Sequence, residues 1–130
     1  MQSTYDKIQF YKLSQKEKDK IIKRLKKSLA DEKRIQLAII FGSLTTRSNI
    51  RDIDLCIHSN PKLNFKELLN LNAQIELDIG MPVDLVELTN LTSTLQVNIL
   101  ENGTIIKGQK SLLNKLLNRA YAQEAIAASS

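Results

Sequence analysis

The run "IQLAIIF", Ile35 to Phe41, constrains this chain more than any other stretch. It is short, rich in β-branched residues and almost wholly apolar, which is the pattern of a strand covered on both faces. Such a strand needs a layer above it and a layer below it, and the flanking sequence supplies helices for both. Ser14 with Glu17 three residues on is a capping box, and Ile21, Ile22, Leu25 and Leu29 then recur at helical spacing. Asn64 with Glu67 starts a second helix, with Phe65, Leu68, Leu69 and Ile75 expected on its buried side; Gly80 ends it and Pro82 bars continuation. Thr89-Asn90 or Thr92 opens a short helix running through Leu100 and stopped near Gly103. Leu112, Leu113, Leu116, Leu117 and Ala120 mark a last one.

"DIDLCIH" (Asp52 to His58), "VDLVEL" (Val83 to Leu88) and "TIIKG" (Thr104 to Gly108) read as further strands. The order α-β-β-α-β-α-β-α predicts an α/β (α+β) fold, a small mixed β-sheet of about four strands flanked by helices. The expected organisation is a single domain over 1–130. Its core covers about 35–107, with a basic N-terminal helix at about 15–33 and a C-terminal helix at about 109–127.

The lone cysteine, Cys56, excludes an internal disulfide and a multi-cysteine zinc site and is expected in the core. No run reaches transmembrane length and "MQSTYDKIQFYKL" lacks a signal-peptide pattern, so the expectation is a cytoplasmic protein with no membrane partner. The net charge of +5 is concentrated at Lys16, Lys18, Lys20, Lys23, Arg24, Lys26, Lys27, Lys33 and Arg34. With little aromatic interleaving for base stacking, these read as the solvated face of an amphipathic helix, and nucleic acid is not expected as a partner.

Asp52 and Asp54 stand in an otherwise apolar, strand-like run, where an unpartnered carboxylate is costly. Side chains at i and i+2 of a strand share a face, so the two converge. Asp84 is a third lone acid in an apolar run, and neighbouring strands would bring all three together. Such a cluster suits a hard cation held by oxygen ligands. No Gly and no closing Glu follow at the spacing of a calcium loop. Gly42-Ser43, just after the first strand, adds a close-approach turn whose N–H groups and hydroxyl make a phosphate cradle. Phosphate cradle and acidic cluster together point to nucleoside triphosphate chemistry, without a Walker loop or a kinase motif set.

"FGS" after an apolar strand, "RDIDL" about ten residues on and "MPVDLVEL" later resemble the nucleotidyltransferase superfamily related to DNA polymerase beta. More narrowly, the chain is similar to the minimal nucleotidyltransferase (MNT) proteins, antitoxins encoded beside HEPN-domain ribonuclease toxins. The resemblance spans Ile35 to Lys107. It implies that Asp52 and Asp54 are the paired metal ligands, and that Asp84 is the third carboxylate, which also helps activate the attacking hydroxyl. Gly42 and Ser43 would hold the triphosphate. It further implies two Mg²⁺ ions (Mn²⁺ as the alternative), ATP as substrate, and transfer of AMP to a tyrosine of a HEPN partner with release of pyrophosphate.

The family's Ala-Arg-Gly after the Gly-Ser is replaced here by "LTTRSNI", so Arg47 stands in for the usual arginine as a nucleotide-binding residue if the loop is re-registered. Arg51 takes the place of a Ser before the first Asp, and the alternative it leaves open is a pair with a carboxylate that weakens metal affinity. Two other readings stay open: an MNT fold with a decayed site that inhibits its partner by contact, and a small-molecule nucleotidyltransferase working with a helical partner. A homodimer is also left open, since the C-terminal leucine stripe suits core, partner or self-association. His58 is read as incidental. Glu76, Asp78 and Glu87 are placed on solvated faces, and Lys107 and Lys110 away from any phosphate.

Overall fold

The structure, a computed structural model, describes residues 10–42, 44 and 49–129. Along the chain it places β1 (Tyr11–Lys12), α1 (Gln15–Ala30), β2 (Ile35–Phe41), β3 (Asn49–Ile50), β4 (Ile53–Ser59) and α2 (Phe65–Ile79). β5 (Val83–Glu87), a 3₁₀ turn (Leu88–Asn90), α3 (Ser93–Asn102), β6 (Thr104–Lys107) and α4 (Lys110–Ser129) follow. The main sheet runs β5-β4-β2-β6, with β4 and β5 parallel and the other pairs antiparallel.

β2 is central because both of its faces are apolar. Ile35, Ala38 and Ile40 pack under α1 and α2 with Leu25, Leu29, Ile53, Leu55, Ile57 and Ile75. Leu37 and Ile39 pack on the other face with Cys56, Leu88, Leu100, Leu113 and Leu116, under α3 and α4. A register irregularity between Ile35 and Leu37 shifts the alternation there. The expected caps hold: Ser14 and Asn64 each make a full capping box, Thr92 caps α3, and Gly80 closes α2 at φ 79°. The Asn60–Pro61 peptide is cis.

Several placements differ from the sequence reading. Phe65 and Leu69 are 75% and 53% exposed, because α2 turns only Ile75 and Ile79 fully inward and Leu68 and Leu71 partly. The two-residue ribbon β1–β3 was not anticipated, being too short to carry an alternation. The second strand starts at Ile53, leaving Asp52 in the bend before it. Lys107, read as having no phosphate role, donates to the carbonyls of Leu29 (2.6 Å) and Glu32 (2.9 Å), tying the end of α1 to β6.

Candidate active site

Asp54 is the second residue of β4 and Asp84 the second of β5, and the parallel register sets them directly opposite each other. On its other side Asp54 faces Phe41, the last residue of β2. Ile53, Leu55 and Ile57 take the α1/α2 face of the sheet and Cys56 takes the other. Alternation therefore puts Asp54 on the α3/α4 face, at the end of the sheet where β2 stops and β4 begins. Asp54 and Asp52 are half-buried, and Asp84 is exposed.

Gly42 follows Phe41 with φ 72°, a left-handed conformation that suits glycine. A β-carbon built there would overlap Asp54 Oδ2. The turn thus passes against the carboxylate, and any side chain at position 42 would push it aside. Ser43 and Arg47, the other two expected nucleotide-binding residues, lie outside the described residues.

Asp84 across the register and Asp52 two residues before stand near enough to Asp54 to act on its charge. The Asp54 carboxyl is pushed up to about 6, first by burial, then by the negative charge of Asp52, then by that of Asp84. Like charges brought together hold on to a proton unless a cation replaces it. The donor set is all oxygen and all anionic, which fits Mg²⁺ or Mn²⁺ and leaves softer metals without a ligand they prefer. Among the described residues, however, no three Asp, Glu, His or Cys side chains are gathered so as to hold a metal ion as they stand. The mutual repulsion of these acids is what a bound cation would offset. Arg51 does not relieve it: it makes no ion pair among the described residues, so the alternative of an Arg51–carboxylate pair is not seen.

What positions Asp84 escaped the sequence reading. β5 is an edge strand, and its outward N–H groups are met by side chains of α2. The amide of Val83 donates to Glu76 Oε2 (2.7 Å) and that of Leu85 to Asn72 Oδ1 (3.1 Å). Ile53 N–H donates to Pro82 O at 2.9 Å on the inner side. Glu76, expected on a solvated face, is a half-buried acceptor, and with Asn72 it pins the strand on either side of Asp84.

Glu87 also departs from expectation. It is 1% exposed and accepts from Ser59 N–H (3.2 Å) and Ser59 Oγ (2.6 Å), closing the far ends of β4 and β5 together. It shares a strand face with buried Val83 and Leu85, a phase legible in "VDLVE". His58 Nδ1 lies 3.8 Å from Glu87 Oε1 and has no hydrogen-bond partner among the described residues. Burial pushes His58 below its usual range, against the pull of Glu87 and helped by Arg119. Cys56 packs in the core as expected, its thiol pushed up to about 12 by burial and by Glu87. Asp78 is exposed, accepting from Ser28 Oγ at 2.8 Å.

A four-stranded mixed sheet with a glycine turn at one end and carboxylates on the two adjoining strands defines a nucleotidyltransferase fold. The chain belongs to the polymerase beta nucleotidyltransferase family, whose profile matches residues 23–112. No curated protein matches it significantly. Among solved structures it is similar to the toxin–antitoxin MntA–HepT, at 20% identity and TM-score 0.68 over 89% of this chain and 91% of that one. A toxin–antitoxin structure with AMP-PNP is similar at 20% identity and TM-score 0.74, over 83% of this chain and 90% of the other. A third is the complex of the MNT antitoxin with tri-AMPylated HEPN toxin from Shewanella oneidensis, at 20% identity and TM-score 0.67 over 90% and 91%. At such identities the likeness establishes the shared fold.

Proposed function

We propose that this chain is an adenylyltransferase that moves AMP from ATP to a tyrosine hydroxyl of a HEPN-domain partner and so acts as that partner's antitoxin. The observation that carries this is the position of Asp54, opposite Asp84, in the field of Asp52 and against the Gly42 turn. Asp52, Asp54 and Asp84 would hold Mg²⁺ or Mn²⁺. When bound, the ion supplies positive charge to the phosphate oxygens and lowers the proton affinity of the acceptor hydroxyl. Gly42 leaves room for the triphosphate to approach the end of β2. Ser43 and Arg47 are assigned to the same anion by their places in the sequence.

The tyrosine oxygen bonds to the α-phosphorus as the bond from that phosphorus to the pyrophosphate oxygen breaks, and pyrophosphate leaves. The hydroxyl proton passes to Asp84, the most exposed of the three acids and the one best placed to meet an acceptor from outside. The likeness to antitoxins in complexes with HEPN toxin, one of them tri-AMPylated, supports this choice of acceptor. The test is incorporation of label from α-labelled ATP into the HEPN protein encoded next to this chain, with and without Asp52→Asn. Labelling that needs Asp52 supports the proposal, and no labelling at any Mg²⁺ concentration removes it.

A binding-only antitoxin is the second reading, favoured by the replacement of the family's Ala-Arg-Gly after the Gly-Ser by "LTTRSNI". Full neutralisation of the partner by an Asp52→Asn/Asp54→Asn variant would select it.

A further inference from the structure

We infer that the outward face of α1 is a sequence-independent binding surface for the sugar-phosphate backbone of a nucleic-acid duplex, separate from the acidic site. Sequence spacing alone left these cations as a solvated face; their arrangement on the folded helix goes further. α1 carries seven basic and two acidic residues, a surplus equal to the +5 of the whole chain. The remainder of the protein is therefore neutral on balance, and its net charge sits on one helix.

The charge is also ordered. Ile21, Leu25 and Leu29 are the buried stripe of α1. At 100° per residue, Lys16, Lys20, Lys23 and Lys27 fall within about 40° of the line diametrically opposite that stripe. They form a straight row about 16 Å long, flanked by Arg24 and Lys26, and all six side chains are exposed.

A solvated helix face ordinarily interleaves acids with its lysines, because like charges at i,i+3 and i,i+4 repel. Here the two acids are engaged elsewhere. Glu17 closes the capping box on Ser14, although Lys20 is near enough to stabilise its charge, and Asp19 accepts from Gln15 at 2.9 Å. Among the described residues none of the four lysines makes an ion pair.

The occupant follows from what the row lacks. Protein interfaces are depleted in lysine and anchored by aromatic side chains and arginine, and no aromatic stands among these residues. A membrane-surface helix needs its apolar face free for insertion, and that of α1 is spent on the core. Evenly repeated point charges match a polyanion whose charges also repeat, and lysine contacts to phosphate carry no sequence preference. α1 covers the sheet face opposite Asp54 and Asp84, so this surface and the site of transfer work independently.

The test is fluorescence anisotropy of the full chain with a labelled RNA duplex and a labelled DNA duplex. Polyglutamate and phosphatidylserine vesicles serve as the other arms. Four phosphate contacts give a log–log salt slope of about −3.6, so affinity should fall roughly a hundredfold between about 50 and about 200 mM salt. The Lys20→Gln/Lys23→Gln/Lys27→Gln variant should lose at least tenfold in affinity and most of that slope. Its melting temperature should not fall, since repulsion is relieved. The corresponding triple Lys→Arg variant should retain binding. Equal binding of both duplexes supports the backbone reading, and preference for one names the source. Overturning results are no saturable duplex binding, duplex binding unchanged in the Gln variant, or capture of polyglutamate or vesicles without duplex.

Discussion

Replacing Asp54 with Asn should make this protein more stable while removing the proposed AMP transfer. The Asp54 carboxyl is raised from 3.8 to about 6 by burial and by the charges of Asp52 and Asp84. A carboxyl that is harder to ionise in the folded state than in the unfolded chain destabilises the fold wherever it is ionised. The penalty is absent below about pH 4, grows between about 4 and 6, and is constant above. A shift of about two units corresponds to at most about 3 kcal/mol, and solvent screening of a half-exposed group reduces that to roughly 1 kcal/mol. Asn keeps the shape and removes the charge. Urea denaturation in the presence of a chelator should therefore find Asp54→Asn more stable by roughly 1 kcal/mol at pH 8, a melting shift of about 3–5 °C in a chain of this size. The difference should close towards pH 4. Added Mg²⁺ should then stabilise the wild type and leave the variant nearly unchanged, reversing the order. A variant less stable than wild type at pH 8 without metal, or a difference that ignores pH, would refute the idea that these carboxylates repel one another.

Gly42→Ala places a β-carbon at φ 72° and against Asp54 Oδ2. It should cost about 1–2 kcal/mol from the backbone and lower AMP transfer at least tenfold by turning the carboxylate away; combined with Asp54→Asn it should add little further loss of transfer. Glu76→Ala leaves the Val83 N–H without its acceptor, at about 1–3 kcal/mol, and should speed hydrogen exchange at Val83 and slow transfer, while Glu76→Gln restores both. Glu87→Ala removes the acceptor of two bonds from Ser59 and should cost about 2 kcal/mol in urea denaturation. It should leave the apparent KM for ATP untouched, because Glu87 closes the opposite end of β5 from Asp84.

The fold was legible wherever a local pattern had to agree with a global one. "IQLAIIF" could be nothing but a strand covered on both sides, and two capping boxes fixed where α1 and α2 begin. Asp54 and Asp84 were legible as a pair because each interrupts an apolar run, although only the parallel register of β4 and β5 sets them opposite each other. Asp52 joined them by sequence spacing, yet it stands in a bend rather than in the strand. Helical phase misled at Phe65 and Leu69: α2 packs against edge strand β5, and its buried stripe is narrower than its apolar one. Glu76 and Glu87 were misplaced for a different reason. An acid in an amphipathic pattern defaults to solvent, and nothing local announces that a strand's N–H group or a serine hydroxyl will come to meet it. For Glu87 the alternation with Val83 and Leu85 was the overlooked signal.

Anomalous diffraction from Mn²⁺ in crystals grown with an ATP analogue that cannot be cleaved at the α-phosphorus tests the site most directly. Manganese peaks ligated by Asp52, Asp54 and Asp84, with the triphosphate lying along the Gly42 turn, are the expected result. Nucleotide bound without metal at these acids, or manganese bound only elsewhere, would contradict a catalytic role for the cluster.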